Sequence, residues 1–346
     1  MELDGRKMQI LKAIIDEYVL SAAPVGSRSI SRLGGFNLSS ATIRNEMADL
    51  EELGYLEQPH TSAGRIPSDK AYRLYVNSIM NRAQLSQDEI SVIKAHFNHK
   101  IDEIESIMKQ TAQALSSATQ YTAMVLPPML NNDCLQHIQL VPLREGRALI
   151  VLVTDTGFAR DAVIRIPENM TPEELESISR ILTNRFKNCR LETVGERIIH
   201  EMGQEMAQRR DFLASMVEAI DRKLSPEAHN VELSGTTNLL HYPEYNDVNK
   251  AKTFLATIEG RDTLYNMLKR ASKVEFSITI GSENELAPLQ DCSVVTATYR
   301  VGDTPMGSFG IIGPTRMNYG KVLSVFDYMT RSLNEILTNL IEEDKH

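Results

Sequence analysis

The part of this sequence that most constrains the fold lies within residues 1–82. Two short helical patterns joined by a tight turn run there into Gly54-Tyr55-Leu56-Glu57-Gln58-Pro59-His60-Thr61-Ser62-Ala63-Gly64-Arg65-Ile66-Pro67. Between Arg6 and Leu20, the residues Ile10, Leu11, Ile14, Ile15 and Tyr18 recur at helical spacing, which predicts a buried support helix. Ala22-Ala23-Pro24 ends it, because proline has no N–H with which to continue the ladder. Ser27 is placed to cap a short second helix through Leu33, and Gly34-Gly35 is a turn signal. Ser39 or Ser40 then caps a third helix that runs to about Leu53.

The third helix has two unlike faces. Ile43, Met47 and Leu50 share one, at spacings that suit packing on the first helix. Ala41, Arg44, Asn45 and Ala48 share the other, with Thr42 at its flank. Small alanines let a helix approach base edges, while arginine reads guanine and asparagine reads adenine through paired hydrogen bonds. The serine-capped end at Ser39 and Ser40 offers backbone N–H groups and a positive dipole to a phosphate. After the helix, Tyr55-Leu56-Glu57 reads as a strand and Arg65-Ile66 as its return. The small polar tip between them, with His60, Thr61 and Ser62, suits a wing lying along a phosphate backbone. Arg65 is the expected phosphate or minor-groove contact. With Arg28 from the second helix, the candidate DNA-contacting set is Arg28, Ser39, Ser40, Ala41, Thr42, Arg44, Asn45, His60, Thr61, Ser62 and Arg65.

Charge first argues against this reading, since the 346-residue chain carries a formal net charge of −9. Its distribution reverses the argument. Residues 1–82 are balanced, with ten basic and ten acidic side chains. From Val25 to Asn45 there are three arginines, Arg28, Arg32 and Arg44, and no acid. The positive window therefore falls on the helix-turn-helix, and the acidic remainder repels DNA elsewhere. A grip this weakly charged relies on a homodimer that reads two half-sites.

Other classes find little support. The three cysteines, Cys134, Cys189 and Cys292, lie far apart with neither C-x-x-C spacing nor a nearby histidine. They suggest no zinc site and no disulfide framework, and they suit a reducing cytoplasm. The charged N-terminus does not read as a signal peptide, and the longest apolar run, Ala148 to Val153, is too short to span a bilayer. No membrane contact is expected. H-E-x-x-H, G-x-S-x-G and a strand-linked G-x-G-x-x-G do not occur. Gly313 to Gly320-Lys321 resembles a phosphate loop only superficially: six residues separate the glycines and Val322 stands where Ser or Thr would hold magnesium. Gly302, Gly307, Gly310 and Gly313 fit a hairpin and close strand packing better. His96 and His99 read as a solvated helix face. No catalytic residue, metal or cofactor is expected.

In the body, Ile90, Ile93, Phe97, Ile101, Ile104, Met108, Thr111 and Leu115 follow steps of three and four, predicting one long amphipathic helix. Strands are expected at Leu135–Leu143, Ala148–Val153 and Phe158–Ile166, and again at Val274–Ile280, Ser293–Tyr299 and Met306–Ile312. Between the triplets, helices are expected from Thr171-Pro172, from about Gly195 to Leu224 and from Val248 to Lys269. A sheet interrupted by helices makes this an α+β multidomain chain. The last helix, Asn318 to about Glu342, carries heptad-like apolar spacing that suits core packing or a subunit contact.

Several motifs resemble one family. Pro24-Val25-Gly26-Ser27, Ala41-Thr42-Ile43-Arg44-Asn45-Glu46-Met47, the Gly54-to-Pro67 run and Tyr72-Arg73-Leu74-Tyr75-Val76 look like HrcA, the bacterial heat-inducible transcription repressors. So do Gly235-Thr236-Thr237-Asn238-Leu239-Leu240, Ile280-Gly281-Ser282-Glu283-Asn284 and Ile312-Gly313-Pro314-Thr315-Arg316-Met317-Asn318-Tyr319. Ala23, Ser68 and Ala71 depart from the family pattern, away from the proposed reading face. The resemblance implies a winged-helix domain at 1–82 and a GAF-like domain at 83–190 and 272–346. It also implies an inserted dimerising domain at 191–271. It implies repression of chaperone operons by a homodimer on double-stranded DNA at an inverted-repeat operator, called CIRCE. A GroE-type chaperonin would keep the repressor active, and heat stress would release it. Two other readings stay open: a regulator controlled by a small ligand in the GAF-like domain, and an enzyme or chaperone-binding adaptor that uses DNA only for location.

Overall fold

The computed structural model describes all residues except 1–2, 34–37, 61–62, 81–82, 98–103, 129–133, 156–158, 168–169, 203–209, 225–230, 303 and 344–346. It confirms a mixed α+β chain, folded as two compact units. The first comprises Met1–Leu126, Val231–Arg300 and Gly307–Asn334; the second comprises Pro127–Asn230, Val301–Met306 and Glu335–His346. These divisions do not fall at 190/191 and 271/272, where the sequence places the limits of an insertion.

The first unit opens with α1 (Gly5–Ser21), α2 (Ser27–Arg32) and α3 (Ser40–Glu52), followed by the two-stranded antiparallel β1 (Leu56–Glu57) and β2 (Ile66–Pro67). Asp4 caps α1 by accepting from the Lys7 N–H, and Ala22 turns the chain out of it in the left-handed region, at φ 53°. Next come α4 (Asp69–Leu74), a π-turn at Tyr75–Ile79, and the helices α5 (Gln87–Ala95) and α6 (Ile104–Thr119). The expected single long helix is thus two. The N–H groups of His96 and Phe97 bond three residues back, to Ile93 and Lys94, closing α5 before the periodic pattern ends. α5 and α6 then pack on each other.

The unit's sheet contains β3 (Thr122–Leu126), β7 (Glu232–Ser234), β8 (Phe276–Ile280), β9 (Cys292–Val301) and β10 (Thr304–Pro314), in the spatial order β7-β3-β10-β9-β8. Helices α10 (Val248–Glu259) and α11 (Arg261–Ala271) are separate because Gly260 interrupts the expected Val248–Lys269 helix. Ser308 on β10 donates to the Leu268 carbonyl of α11 at 2.8 Å. From the other face, Phe309 and Phe276 meet Phe326 of α12 (Tyr319–Glu343). Helices therefore cover both faces of the sheet, with Phe309 and Phe326 buried between it and α12.

The second unit contains β4 (Leu135–Leu143), β5 (Arg147–Thr154) and β6 (Ala159–Arg165) in that spatial order, with α7 (Pro172–Phe186), α8 (Leu191–Met202) and α9 (Arg210–Leu224). The two strand triplets expected to share one sheet thus lie in two sheets, in different units. Leu135, Ile138, Ile150, Leu152 and Ile164 form a core with Leu182, Phe186, Ile198 and Met216 on one sheet face. Thr171 caps α7 in a reciprocal capping box with Glu174, and Pro172 takes the first turn. α7 also closes the β4 edge. Ser179 Oγ accepts from the Leu140 N–H at 2.9 Å, and Thr183 Oγ1 accepts from the Ile138 N–H at 3.0 Å. Hydroxyls on a covering helix thus satisfy groups that an exposed strand edge would leave open.

Candidate nucleic-acid interface

The interface is built from the inside of the three-helix segment outward. Ile10, Leu11, Ile14, Ile15, Ile30, Ile43, Leu50 and Leu56 are buried together with Met47. That apolar contact fixes how α3 lies on α1 and α2, and so which face it turns to solvent. Gly26, with no side-chain bond, occupies the cap position of α2, so Ser27 is its first residue rather than its cap. At α3 the cap is Ser39. Its Oγ accepts from the Thr42 N–H at 3.1 Å and lies 3.0 Å from Thr42 Oγ1.

Ala41, Arg44, Asn45 and Ala48 are exposed on the outward face of α3, as is Arg28 on α2, while Ser40 and Thr42 are half-buried. Among the described residues, Arg28, Arg44 and Asn45 have no side-chain hydrogen-bond or ion-pair partner. Two of the acids on α3, Glu46 and Asp49, share one lysine of α1. Glu46 accepts from Lys7 Nζ at 2.7 Å, and Asp49 lies 3.0 Å from the same ammonium. These two carboxylates raise the lysine's pKa, Glu46 first, so it stays charged. Arg44 on the outward face takes no part in these pairs.

The β1–β2 hairpin is pinned through Arg65, by its backbone and by its side chain. Arg65 exchanges backbone hydrogen bonds of 2.8 Å with Val25, joining the hairpin to the segment before α2. Gly64 makes that approach possible, because a Cβ there would stand 2.4 Å from the Val25 carbonyl oxygen. The Arg65 side chain also turns back. Its Nε donates to Glu51 Oε2 at 2.8 Å and its Nη2 lies 2.7 Å from the same oxygen. Arg65 therefore ties the hairpin to the end of α3, a role that sequence reading did not assign to it or to Glu51. His60 is exposed at the tip, where its carbonyl accepts from the Ala63 N–H at 2.8 Å. Thr61 and Ser62 lie outside the described residues.

Behind this surface, α1 and α4 are locked to the rest of the first unit. Arg73 Nε donates to Glu283 Oε1 and its Nη2 donates to the Ile278 carbonyl, both at 2.7 Å. The Ser282 N–H donates to Asp69 at 2.8 Å. The buried Arg316 pairs with Glu244, lies over the Tyr242 ring and donates to the Val19 carbonyl at 2.9 Å, near the end of α1. Neither arginine is singled out from the sequence, because their carboxylate partners lie 210 and 72 positions away along the chain.

Comparison with known proteins decides the family. The model of the HrcA protein C-terminal domain matches residues 105–323. Across the whole length, the chain is 41% identical to the heat-inducible transcription repressor HrcA of Acetivibrio thermocellus, over 347 residues and 99% of each chain. It is 40% identical to the repressor of the same name from Brevibacillus brevis, covering 99% of this chain and 100% of that one. The chain belongs to the HrcA family of heat-inducible transcription repressors. Its fold also resembles that of a hypothetical protein known from a crystal structure, with a TM-score of 0.67 and 23% identity over 98% of this chain and 100% of that one. Membership of the HrcA family makes transcription regulation in the stress response the function, and DNA the partner that follows from it. Among the described residues no helix is long and apolar enough to cross a membrane, and no group of three or more His, Cys, Asp or Glu side chains could hold a metal ion.

Proposed function

We propose that this repressor grips duplex DNA as a homodimer, with α3 of each copy in a major groove and the β1–β2 hairpin as a wing on the adjacent backbone. The observation that carries the reading is the outward face of α3, where Arg44 and Asn45 stand exposed and unengaged while Glu46 and Asp49 of the same helix pair with Lys7. Arg44 would pair with guanine and Asn45 with adenine. Arg28, the capped start of α3 at Ser39–Thr42, and the wing tip at His60–Ser62 would hold phosphates. Arg65 holds the wing in place from within. The operator is an inverted repeat of the CIRCE type, read by two α3 helices. A chaperonin of the GroE type maintains the active form, and heat shifts the balance away from it. The CIRCE-type operator, the chaperonin and the heat response come from the family resemblance. No catalytic role is assigned to any residue.

A surface suited to dimerisation lies on the second unit. The β4–β6 face away from the core aligns Val141, Leu149 and Val163 directly across the three strands. Val141 is 41% and Val163 54% exposed. On β6, Asp161 and Arg165 stand two residues to either side of Val163. A two-fold axis through the apolar row would place Arg165 of one copy against Asp161 of the other, the self-complementarity that an isologous contact requires.

Fluorescence anisotropy with an inverted-repeat duplex and a scrambled duplex, across salt concentrations, tests the DNA reading. Preference for the repeat supports it; equal binding to both, with or without added chaperonin, rejects it. Light scattering of wild type and Val163→Glu tests the dimer. The reading requires a dimeric wild type and a monomeric variant with weakened operator binding. A variant that stays dimeric moves the interface elsewhere.

A further inference from the structure

Away from the DNA-gripping segment, the first unit encloses a cleft of about 480 Å³ between α11 and the β8–β9 edge of its sheet. Strand register builds one wall: Ser277 lies opposite Thr296, and both line the cleft. α11 builds the other with Asn266, Met267 and Arg270. Asn266, Ser277 and the buried Thr296 have no side-chain hydrogen-bond partner among the described residues. The charged groups are already satisfied. Arg270 Nη1 lies 2.6 Å from Glu285 Oε2 at the mouth, and Glu283 is paired with Arg73. The volume falls in the range of small-molecule sites, roughly 300–1,000 Å³. A cleft whose charges are paired, and whose open hydrogen-bonding groups are neutral, favours a neutral ligand.

We propose that this cleft binds a small uncharged molecule with an apolar face and a hydrogen-bonding edge, and that its occupancy is transmitted to the DNA-binding segment through Glu283. The second half rests on the DNA reading above; the first does not. Transmission is short. Glu283 lines the cleft and holds Arg73 of α4. The residue before it, Ser282, holds Asp69 at the start of the same helix. Gly281 interlocks with that helix at φ 52°, where a Cβ would meet the Asp69 carboxylate at 2.1 Å. A ligand that draws Glu283 towards the cleft changes what holds α4, and α4 follows directly on the hairpin. Such a ligand acts only through its different affinities for the two arrangements.

The test uses the full-length protein with methyl-labelled methionines and benzamide as the neutral probe. The Met267 signal is identified by its loss in Met267→Leu. The site requires a saturable shift of that signal, with benzamide affinity falling about two- to tenfold in Asn266→Ala and in the isosteric Thr296→Val. No saturable shift, or one that both variants leave unchanged, overturns the site. The titration is then repeated with the inverted-repeat duplex present. Coupling requires that DNA change the benzamide affinity, that benzamide change the DNA affinity by the same factor, and that Arg73→Met abolish both changes. A normal methyl shift without that reciprocity overturns the coupling. Failure of the DNA grip itself shows as loss of anisotropy without benzamide, and leaves the methyl shift intact.

Discussion

The outward face of α3 and the joint between α4 and β8 are both built around arginine, and they treat it in opposite ways. Arg44 is exposed, with no side-chain partner among the described residues. Arg73 is spent on Glu283 and on the Ile278 carbonyl. An arginine left open on a rigid helix keeps all its donors for an outside acceptor. One whose Nε and Nη2 are engaged within the protein fixes a geometry instead. Arg65 shows that position in the sequence does not decide which role applies. It lies in the hairpin where a DNA contact is expected, yet its guanidinium faces Glu51. On the proposed reading, the surface that would meet DNA is the part left unsatisfied, and the paired arginines hold it in place.

Three perturbations would break or sharpen that contrast. The largest removes the support beneath α3. Ile43 is fully buried, so Ile43→Ala should cost about 2–5 kcal/mol of stability. Calorimetry would read this as a lower melting temperature, with operator affinity lost in proportion to the unfolded fraction. A melting temperature equal to wild type would mean that α3 is not held by this core. Smaller is the α4–β8 joint. A double-mutant cycle on Arg73→Ala and Glu283→Gln should give a stability coupling of about 1 kcal/mol, since the pair is partly exposed and shared with a backbone carbonyl. Single variants that are strictly additive would show that the joint carries no energy. The smallest effect is a pH dependence. Hydrogen bonding from Arg73, and then from the Ile280 N–H, holds the Glu283 carboxyl below its usual range. Its stabilisation is present above the unfolded-state value near about 4.3 and is lost as pH falls through the lower folded value. Wild type should therefore lose more stability than Glu283→Gln between about pH 4.5 and 3, and parallel losses would contradict the assignment.

Much of the N-terminal segment was legible because its signals are local. Periodicity marked Ile10 to Ile15 and Ile43 to Leu50 as buried, and the hydroxyls of Ser39 and Ser40 marked a cap that the structure places at Ser39. Hydroxyl and proline signals at Thr171-Pro172 placed the start of α7. What escaped was either short or long-range. β3 is apolar at Met124, Val125 and Leu126 and buried throughout, so it lacks the alternation that marks a strand with one wet face. β7 has three residues, too few to show any period. The pattern from Ile90 to Leu115 kept its helical spacing across the break after Ala95, so periodicity alone joined two helices. The separation of the strand triplets into two sheets depends on pairing partners, which no local pattern carries. The cleft beside α11 was invisible for the same reason, since the register of β8 and β9 builds one wall and α11 the other. Of the candidate contacts, Arg28, Arg44 and Asn45 were legible as exposed groups. The inward turn of Arg65 was not, since nothing in the hairpin points to Glu51.

The most direct test of the central claim compares wild type, Arg44→Ala and Arg44→Lys for binding to the inverted repeat and to a scrambled duplex, beside a thermal melt of each. The account predicts that Arg44→Ala loses about 1–3 kcal/mol of preference for the repeat, that Arg44→Lys recovers only part of it, and that all three melt within about 0.5 kcal/mol of one another in stability. An Arg44→Ala protein that still prefers the repeat as strongly as wild type would contradict it, and would place the reading of DNA elsewhere on the chain.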